Sequence, residues 1–377
     1  MESIKYKVNK FLNMQKALDM QKIKIAGAGI AGLSAAINLA KAGKKIEIFE
    51  VNKDCGTRFS GDLQGIENWS YDEDALAHLE RMGIKIDFPY TPVTTVKVTN
   101  KKVSLITSTK SPMVYLVKRG PYHDTLDYAL KMQALKLGVK IYFNRACNEK
   151  DAHVIATGHI GKNPFAIDEG IVFNTDMENI AEIVFNDDLG YKGYSYLLVI
   201  NGYGCMCTVV AENFEMVGEC FNKTRNFFTK KYRLRVTNEK RAGGVGSFST
   251  NNTFFKDNRL YVGEAAGIQD ALLGFGIRSS LYSGYLAARM INDNLNPSDE
   301  YQKIAKKEFS PRLKASFVNR FIWNRLGKNY GLIMYAIKRS NDPKKMLKKI
   351  YNYGLMHKIL FPLVYYTRYF NGTQRYI

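Results

Sequence analysis

Gly27, Gly29 and Gly32 stand at the spacing G-x-G-x-x-G in "KIKIAGAGIAGLSAAINLAKAGKKIEIFE", and a carboxylate, Glu50, follows 23 residues after the first of them. Residue types in this order can hold a dinucleotide. The first glycine permits a tight turn, the second lets backbone approach a pyrophosphate, and the third lets helix and strand pack closely. Ile30, Ala31 and Gly32 then open a helix whose free N–H groups and partial positive charge favour phosphates. Glu50 is placed to accept hydrogen bonds from the ribose hydroxyls of adenosine, and its charge disfavours a 2′-phosphate.

These residues need a βαβ unit to hold them. Residues 22–26 read as a buried parallel strand, 30–42 as a helix and 45–50 as a second strand. The glycine-rich "VNKDCGTRFSGDLQGIENWS" reads as irregular, with a helix near 72–83. Residues 93–118 alternate as antiparallel strands, 123–136 read as a helix, and the strands "VKIYF" and "AHVIATG" follow. From 165 to 260 the pattern is largely strand: "EIVFN", "YSYLLVI", "CMCTVVA", "RLRVT". At 259 a parallel-type strand returns, leading into a helix through 292. The chain from 298 reads as helical, with Pro311 and Pro343 as helix starts. The expected class is α/β. A Rossmann-type dinucleotide-binding domain (20–90, 120–160 and 259–295) is interleaved with an antiparallel-sheet substrate domain (91–119 and 161–258). A basic helical C-terminal region (296–377) follows.

With 377 residues, 46% of them hydrophobic, the chain can bury a large core. Its five cysteines, Cys55, Cys147, Cys205, Cys207 and Cys220, include a C-x-C pair without the second pair a zinc site needs. "MESIKYKVNKFLNMQKALDM" has no apolar run of the signal-peptide kind, so a reducing cytoplasmic setting is expected. The formal charge is +20, and residues 301–377 hold 17 Lys+Arg against two acids, Glu308 and Asp342. Such asymmetry suits an anionic partner, nucleic acid or a phospholipid surface, unless it is a solvated helical face. No zinc-finger spacing or RNP-like motif supports specific nucleic-acid reading. The interleaving of Trp, Tyr, Phe and Leu with Lys and Arg suits a helix lying in an anionic interface. The run "ILFPLVYY" at 359–366 is too short to span a bilayer, so the expected location is cytoplasmic, peripheral on the inner face of the membrane.

The segment "RLYVGEAAGIQDALLGFGIRSSLYSGYLAARMI", Arg259 to Ile291, resembles the second flavin motif of the FAD-dependent geranylgeranyl reductase family, within the p-hydroxybenzoate hydroxylase-like flavoproteins. The matches are Gly263, Ala265, Ala266 and Gly267, then Gly274, Gly276 and Ile277, then Ser283, Gly284, Ala287 and Ala288. The resemblance implies FAD as cofactor. Glu264 stands where the family's aspartate holds the ribityl chain, and the helix start at Gly274 to Ile277 stands near the flavin N1/C2 carbonyl edge, where it would stabilise an anion. "VIATG" resembles the strand passing the adenine side, with Ala156 and Gly158. Arg119 matches an arginine that touches the cofactor, or is a loop surface charge. In "DCGTRFSG", Arg58 is expected at the pyrophosphate and Cys55 near the isoalloxazine, or as inert filling.

On the substrate side the family's Y-x-W-x-F-P motif aligns with "GYSYLLV": Tyr194 is kept, while Tyr196, Leu198 and Val199 replace the tryptophan, phenylalanine and proline. The wall stays aromatic and aliphatic, suited to a hydrophobic ligand or to plain strand packing. The implied reaction is hydride transfer from reduced flavin N5 to a C=C bond of an isoprenoid or similar lipid. Tyr194, Tyr196, Cys55 or water would give the proton. A second G-x-G-x-x-G is missing, so electrons come from transiently bound NAD(P)H or a reduced carrier protein. Two alternatives stand beside this: a flavin monooxygenase or halogenase acting on an aromatic, although "DAHVIATG" lacks the hydroxylases' Asp-Gly motif, and a basic binding protein with a vestigial nucleotide fold.

Overall fold

The computed structural model describes residues 22–100, 102–158, 164–249, 252–293, 297–325 and 330–370. The opening segment inspected for a signal peptide, and the last residues of the basic region, lie outside these. The strand Ile23–Ala26 (β1) turns at the glycines into the helix Ile30–Lys41 (α1) and returns as Ile46–Phe49 (β2). β1 and β2 pair in parallel, Ile23 opposite Ile46. Ile25, Leu33, Ile37, Leu39 and Ile48 are fully buried. Strands covered on both faces are largely apolar, as Ile23, Ile25, Ile46 and Ile48 are, and the buried Glu47 among them is paired with Lys22 (2.8 Å).

Leu63–Glu67 (β3), the helix Ala75–Arg81 (α2) and Thr91–Val93 (β4) come next, then Thr95–Thr99 (β5), Ser104–Ser108 (β6) and Val114–Lys118 (β7). The helix Leu126–Lys136 (α3) leads to Lys140–Tyr142 (β8) and Val154–Ile155 (β9). The second half holds Ala166–Asn174 (β10), Ile180–Val184 (β11), Tyr194–Ile200 (β12), Tyr203–Val210 (β13), the helix Val217–Tyr232 (α4) and Thr237–Gly246 (β14). Phe255–Lys256 (β15) and Arg259–Tyr261 (β16) precede the helix Ile277–Asn292 (α5). The C-terminal helices are Pro297–Arg325 (α6), Gly331–Arg339 (α7), Pro343–Ile350 (α8) and Leu355–Phe370 (α9).

The Rossmann-type sheet has the order β15-β16-β9-β1-β2-β8, parallel except for the β15–β16 hairpin. β16 enters the sheet beside β9, one strand from β1. A strand that begins 233 residues after the end of β1 thereby delivers its C-terminal loop to the same sheet edge as the glycine turn, where α/β sheets bind ligands. The larger sheet, β14-β10-β13-β12-β11-β5-β6, is antiparallel except between β11 and β5. Along β12, Ser195, Leu197 and Val199 are buried, while Tyr194, Tyr196, Leu198 and Ile200 are half-buried on the opposite face.

Four local expectations are corrected. The irregular segment after β2 contains β3, which joins β7 and β4 in a third, small sheet. α4 interrupts the strand-rich region, burying Cys220, Phe221, Thr224 and Phe228 on one helical stripe. "RLRVT" is mostly the turn after that helix rather than a strand; Arg233 takes a left-handed conformation that ends α4. Pro311 lies inside α6 rather than starting a helix, held there because Tyr301, Phe309, Leu313 and Phe317 pack into the main core. Pro343 does open α8, capped by Asp342. The first C-terminal helix is therefore core, not an appended tail.

Candidate functional site

Each glycine of the first turn has a distinct environment. Gly27 has φ +101°, and a Cβ there would lie 2.3 Å from the carbonyl oxygen of Ala156, on the neighbouring strand. A Cβ on Gly32 would lie 2.2 Å from the carbonyl oxygen of Gly27. Gly29 differs: it is exposed, with φ −72°, and a Cβ would meet nothing nearer than Ala156 O at 4.0 Å. No side chain caps α1 and no acid lies in its first turn. The N–H groups of that turn therefore face outward past a glycine whose missing side chain clears the approach. This is the shape a pyrophosphate requires.

Glu50 is buried and already engaged. The Ala28 N–H donates to its Oε2 (2.8 Å), and the Asn52 N–H and Nδ2 donate to Oε1 (2.9 and 2.7 Å). It thus staples the glycine turn, and Oε2, with a single donor, retains a lone pair for a ribose hydroxyl. Ala156 lies beside the turn on the strand side, its N–H donating to Ala26 O (2.7 Å), while a Cβ on Gly158 (φ +78°) would meet nothing within 4 Å.

The second motif meets the first. A Cβ on Gly263 would lie 2.8 Å from Ala31 Cβ and 3.5 Å from Ser280 Oγ, so this glycine sits between the first turns of α1 and α5. Its N–H donates to Ser283 Oγ (2.9 Å). Along the helices, Ser34 Oγ donates to Leu281 O (2.7 Å), and a Cβ on Gly284 would come within 2.1 Å of Ala31 O. The small residues of "SGYLAA" exist for this contact. Gly276 caps α5 without a side-chain bond, Ile277 is buried as its first residue, and no acid occupies the first turn. A second uncapped helix N-terminus thus belongs to the same site.

The loop leading to it is held from three remote places. Within the loop the Asp270 carboxylate accepts the N–H groups of Leu272 (2.9 Å) and Leu273 (2.8 Å). Tyr351 of the segment after α8 donates its hydroxyl to the same carboxylate (2.6 Å). Arg320 of α6 donates to the carbonyls of Ala271 (2.9 Å), Lys192 (2.6 Å) and Leu272. Tyr194 of β12 donates to Leu273 O (2.5 Å).

Residues 25–75 match the NAD(P)-binding Rossmann-like domain family. Among solved structures, a geranylgeranyl bacteriochlorophyll reductase-like protein from Thermoplasma acidophilum is 16% identical with a TM-score of 0.70, over 91% of this chain and 98% of that one. The flavin-dependent brominase Bmp2 is 13% identical with a TM-score of 0.63, over 93% and 100%. A flavoprotein/dehydrogenase from Cytophaga hutchinsonii is 12% identical with a TM-score of 0.62, over 92% and 100%. No curated protein matches the sequence. The chain has the fold of the flavin-dependent oxidoreductases. Two helix N-termini and the Gly29 clearing fit the phosphates and the ring of FAD in this fold.

Other residues expected at the flavin are distributed less simply. Arg58 pairs with Glu264 (Nη1 to Oε2, 2.9 Å) and donates to Val245 O (2.8 Å), bridging the turn after β16 to β14. Arg119 is buried, not a surface charge. Its Nε and Nη2 grip Asp127 (2.7 and 3.0 Å), Nη1 donates to Gln64 (2.9 Å), and its guanidinium lies 4.3 Å from the Phe59 ring centroid. Cys55 is fully buried in the core, and burial pushes its thiol well above the ordinary range, which suits filling rather than chemistry.

The half-buried face of β12 meets the loop before α5 through Tyr194. Tyr196 stands behind Tyr194, the ring centroids 6.3 Å apart. Burial pushes both phenols far up, so both stay protonated. Tyr196, Leu198 and Ile200 pack with Leu63 and Tyr203 against β3. One neighbour escaped the sequence reading. Asp168 of β10 lies among Arg58, Tyr196 and Cys207, accepting from Cys207 Sγ at 3.7 Å. Burial raises its carboxyl to about 6, with Arg58 opposing the shift. In an alternating strand an aspartate reads as a solvated position, and only pairing with β13 and β14 aims it inward.

Proposed function

We propose that this chain is an FAD-dependent reductase of C=C bonds in a hydrophobic substrate of the isoprenoid or lipid class. The observation that supports it is the aromatic face of β12, anchored by Tyr194 on the loop that precedes α5. Gly29, Ile30, Ala31 and Gly32 would hold the pyrophosphate, and Glu50 the ribose. Glu264 would hold the ribityl chain, and Gly274, Gly276 and Ile277 the ring. When bound and reduced, FAD supplies the hydride; its own reduction is by NAD(P)H or a carrier protein.

The chain's residues must then exclude water, orient the alkene and deliver one proton to the second carbon, so that each double bond gains H2. Tyr194 spends its proton on Leu273 O, and Cys55 lies in the core. Asp168, with its carboxyl near 6, is the side chain here best matched to giving up a proton near neutral pH, and Tyr196 beside it would line the path.

The test is anaerobic. Protein reduced with dithionite is mixed with a geranylgeranyl lipid, and the return of oxidised-flavin absorbance is followed together with the mass of the lipid. A saturated product with flavin reoxidation is expected. Reoxidation only with oxygen and an aromatic, with a hydroxylated or halogenated product, would establish the alternative that similarity to the brominase fold keeps in view.

A further inference from the structure

α9 is apolar on two opposite sides. Val364 is buried and Leu360 and Phe361 are partly buried against the core, with Phe361 packed edge-on against Phe317 of α6. On the other side Leu355 is 74% exposed, Met356 50%, Ile359 59%, Leu363 61% and Tyr366 60%. At 3.6 residues per turn these five fall within an arc of about 100°, a continuous apolar stripe that no described residue covers. A helix packed only through its inner face would carry polar residues there.

Charge selects the occupant. From Pro343 to Ile377 the sequence has seven Lys+Arg and no Asp or Glu. Lys345, Lys349 and Lys358 are exposed, as are Lys338 and Arg339 on α7, where Leu332 and Tyr335 are also exposed. A second copy of a +20 chain would bring like charge against like. Nucleic acid would leave the stripe unburied. An anionic bilayer takes both: its headgroups receive the lysines and its acyl boundary receives the stripe. Among the described residues no helix is long and apolar enough to cross a membrane, so the contact is peripheral.

We infer that the outer face of α9 docks the protein on an anionic phospholipid surface. For the lipid substrate proposed above, this would bring the site to the layer in which the substrate dissolves; the docking rests on that reading only for its purpose, not for its observation.

Full-length protein is sedimented with vesicles of equal parts phosphatidylcholine and phosphatidylglycerol, and with vesicles of phosphatidylcholine alone. Binding to the mixed vesicles is expected, with a roughly tenfold or greater loss on neutral vesicles and in the double variant Ile359→Glu, Leu363→Glu. The pair Lys349→Glu, Lys358→Glu should weaken binding to the anionic vesicles alone. These side chains are exposed, so folding should survive, and protein-bound flavin absorbance reports the cofactor site separately. Equal sedimentation of wild type and the apolar-face variant would overturn the assignment. So would a wild-type dimer in gel filtration that the variant dissolves, because the stripe would then belong to a second copy.

Discussion

The hydroxyl of Tyr194, on the antiparallel sheet, donates a 2.5 Å hydrogen bond to the carbonyl of Leu273, three residues before the N-cap of α5. This bond ties the wall proposed for substrate to the loop proposed for the flavin ring. Replacing Tyr194 by Phe should cost about 1 kcal/mol of unfolding free energy. FAD content should stay near wild type while substrate-dependent flavin reoxidation slows several-fold. Unchanged reoxidation kinetics would show that the bond has no part in turnover.

Two glycines should fail in opposite ways. Gly29→Val places its side chain in open space at an ordinary φ, so the protein should lose FAD yet melt near the temperature of wild-type protein stripped of flavin. Gly284→Ala drives a Cβ against the backbone of α1, and a loss of roughly 2–3 kcal/mol or failure to fold is expected. Melting curves read with flavin absorbance separate the two. Flavin retained in the Gly29 variant would refute the assigned phosphate turn.

His78 predicts acid lability. Arg278, fully buried, donates to His78 Nδ1 (3.0 Å), so the ring must be neutral, and burial with Arg278 lowers its pKa to about 4. The unfolded chain takes up a proton near 6.5 while the folded one does not. The stability this residue contributes is whole above that pH and drains away as pH falls toward 4, by about 2–3 kcal/mol. Urea unfolding at pH 7.5 and 4.5 should show that decline, and His78→Gln, whose amide oxygen can also accept from Arg278, should flatten it.

Asp168 has the opposite sign. Its carboxyl is raised to about 6, so its favourable contribution is complete below about 4 and lost as pH rises through 6. Asp168→Asn should gain roughly 1–2 kcal/mol at pH 8 relative to its effect at pH 5. If Asp168 delivers the proton, turnover of wild type falls above pH 6 and the variant is slow at every pH. Equal pH profiles of turnover in the two proteins would remove Asp168 from the chemistry.

Two contacts tie residues beyond 311 to the loop before α5. Arg320 holds the carbonyls of Ala271 and Leu272, and Tyr351 holds Asp270. The helices that looked like an appended basic region hold the loop before α5 in place. Their charge was legible, but that Arg320 is buried was not, because burial depends on which surface a helix meets.

Local stereochemistry was enough for the first motif. A glycine spacing between an apolar strand and an alanine-rich helix allows few backbone paths, and β1, α1, β2 and Glu50 follow from it because their contacts are close in sequence. Gly284, Ala287 and Ala288 were legible only as matches to a motif; that Gly284 packs against the backbone of Ala31 came from the fold. Tertiary structure alone decided that Asp168 turns inward, that Cys55 turns into the core, and that Arg119 clamps Asp127. Each of those outcomes is a choice between water and a particular neighbour. The neighbour is brought by strand pairing or helix packing across tens to hundreds of residues, a distance over which residue type and periodicity carry no address.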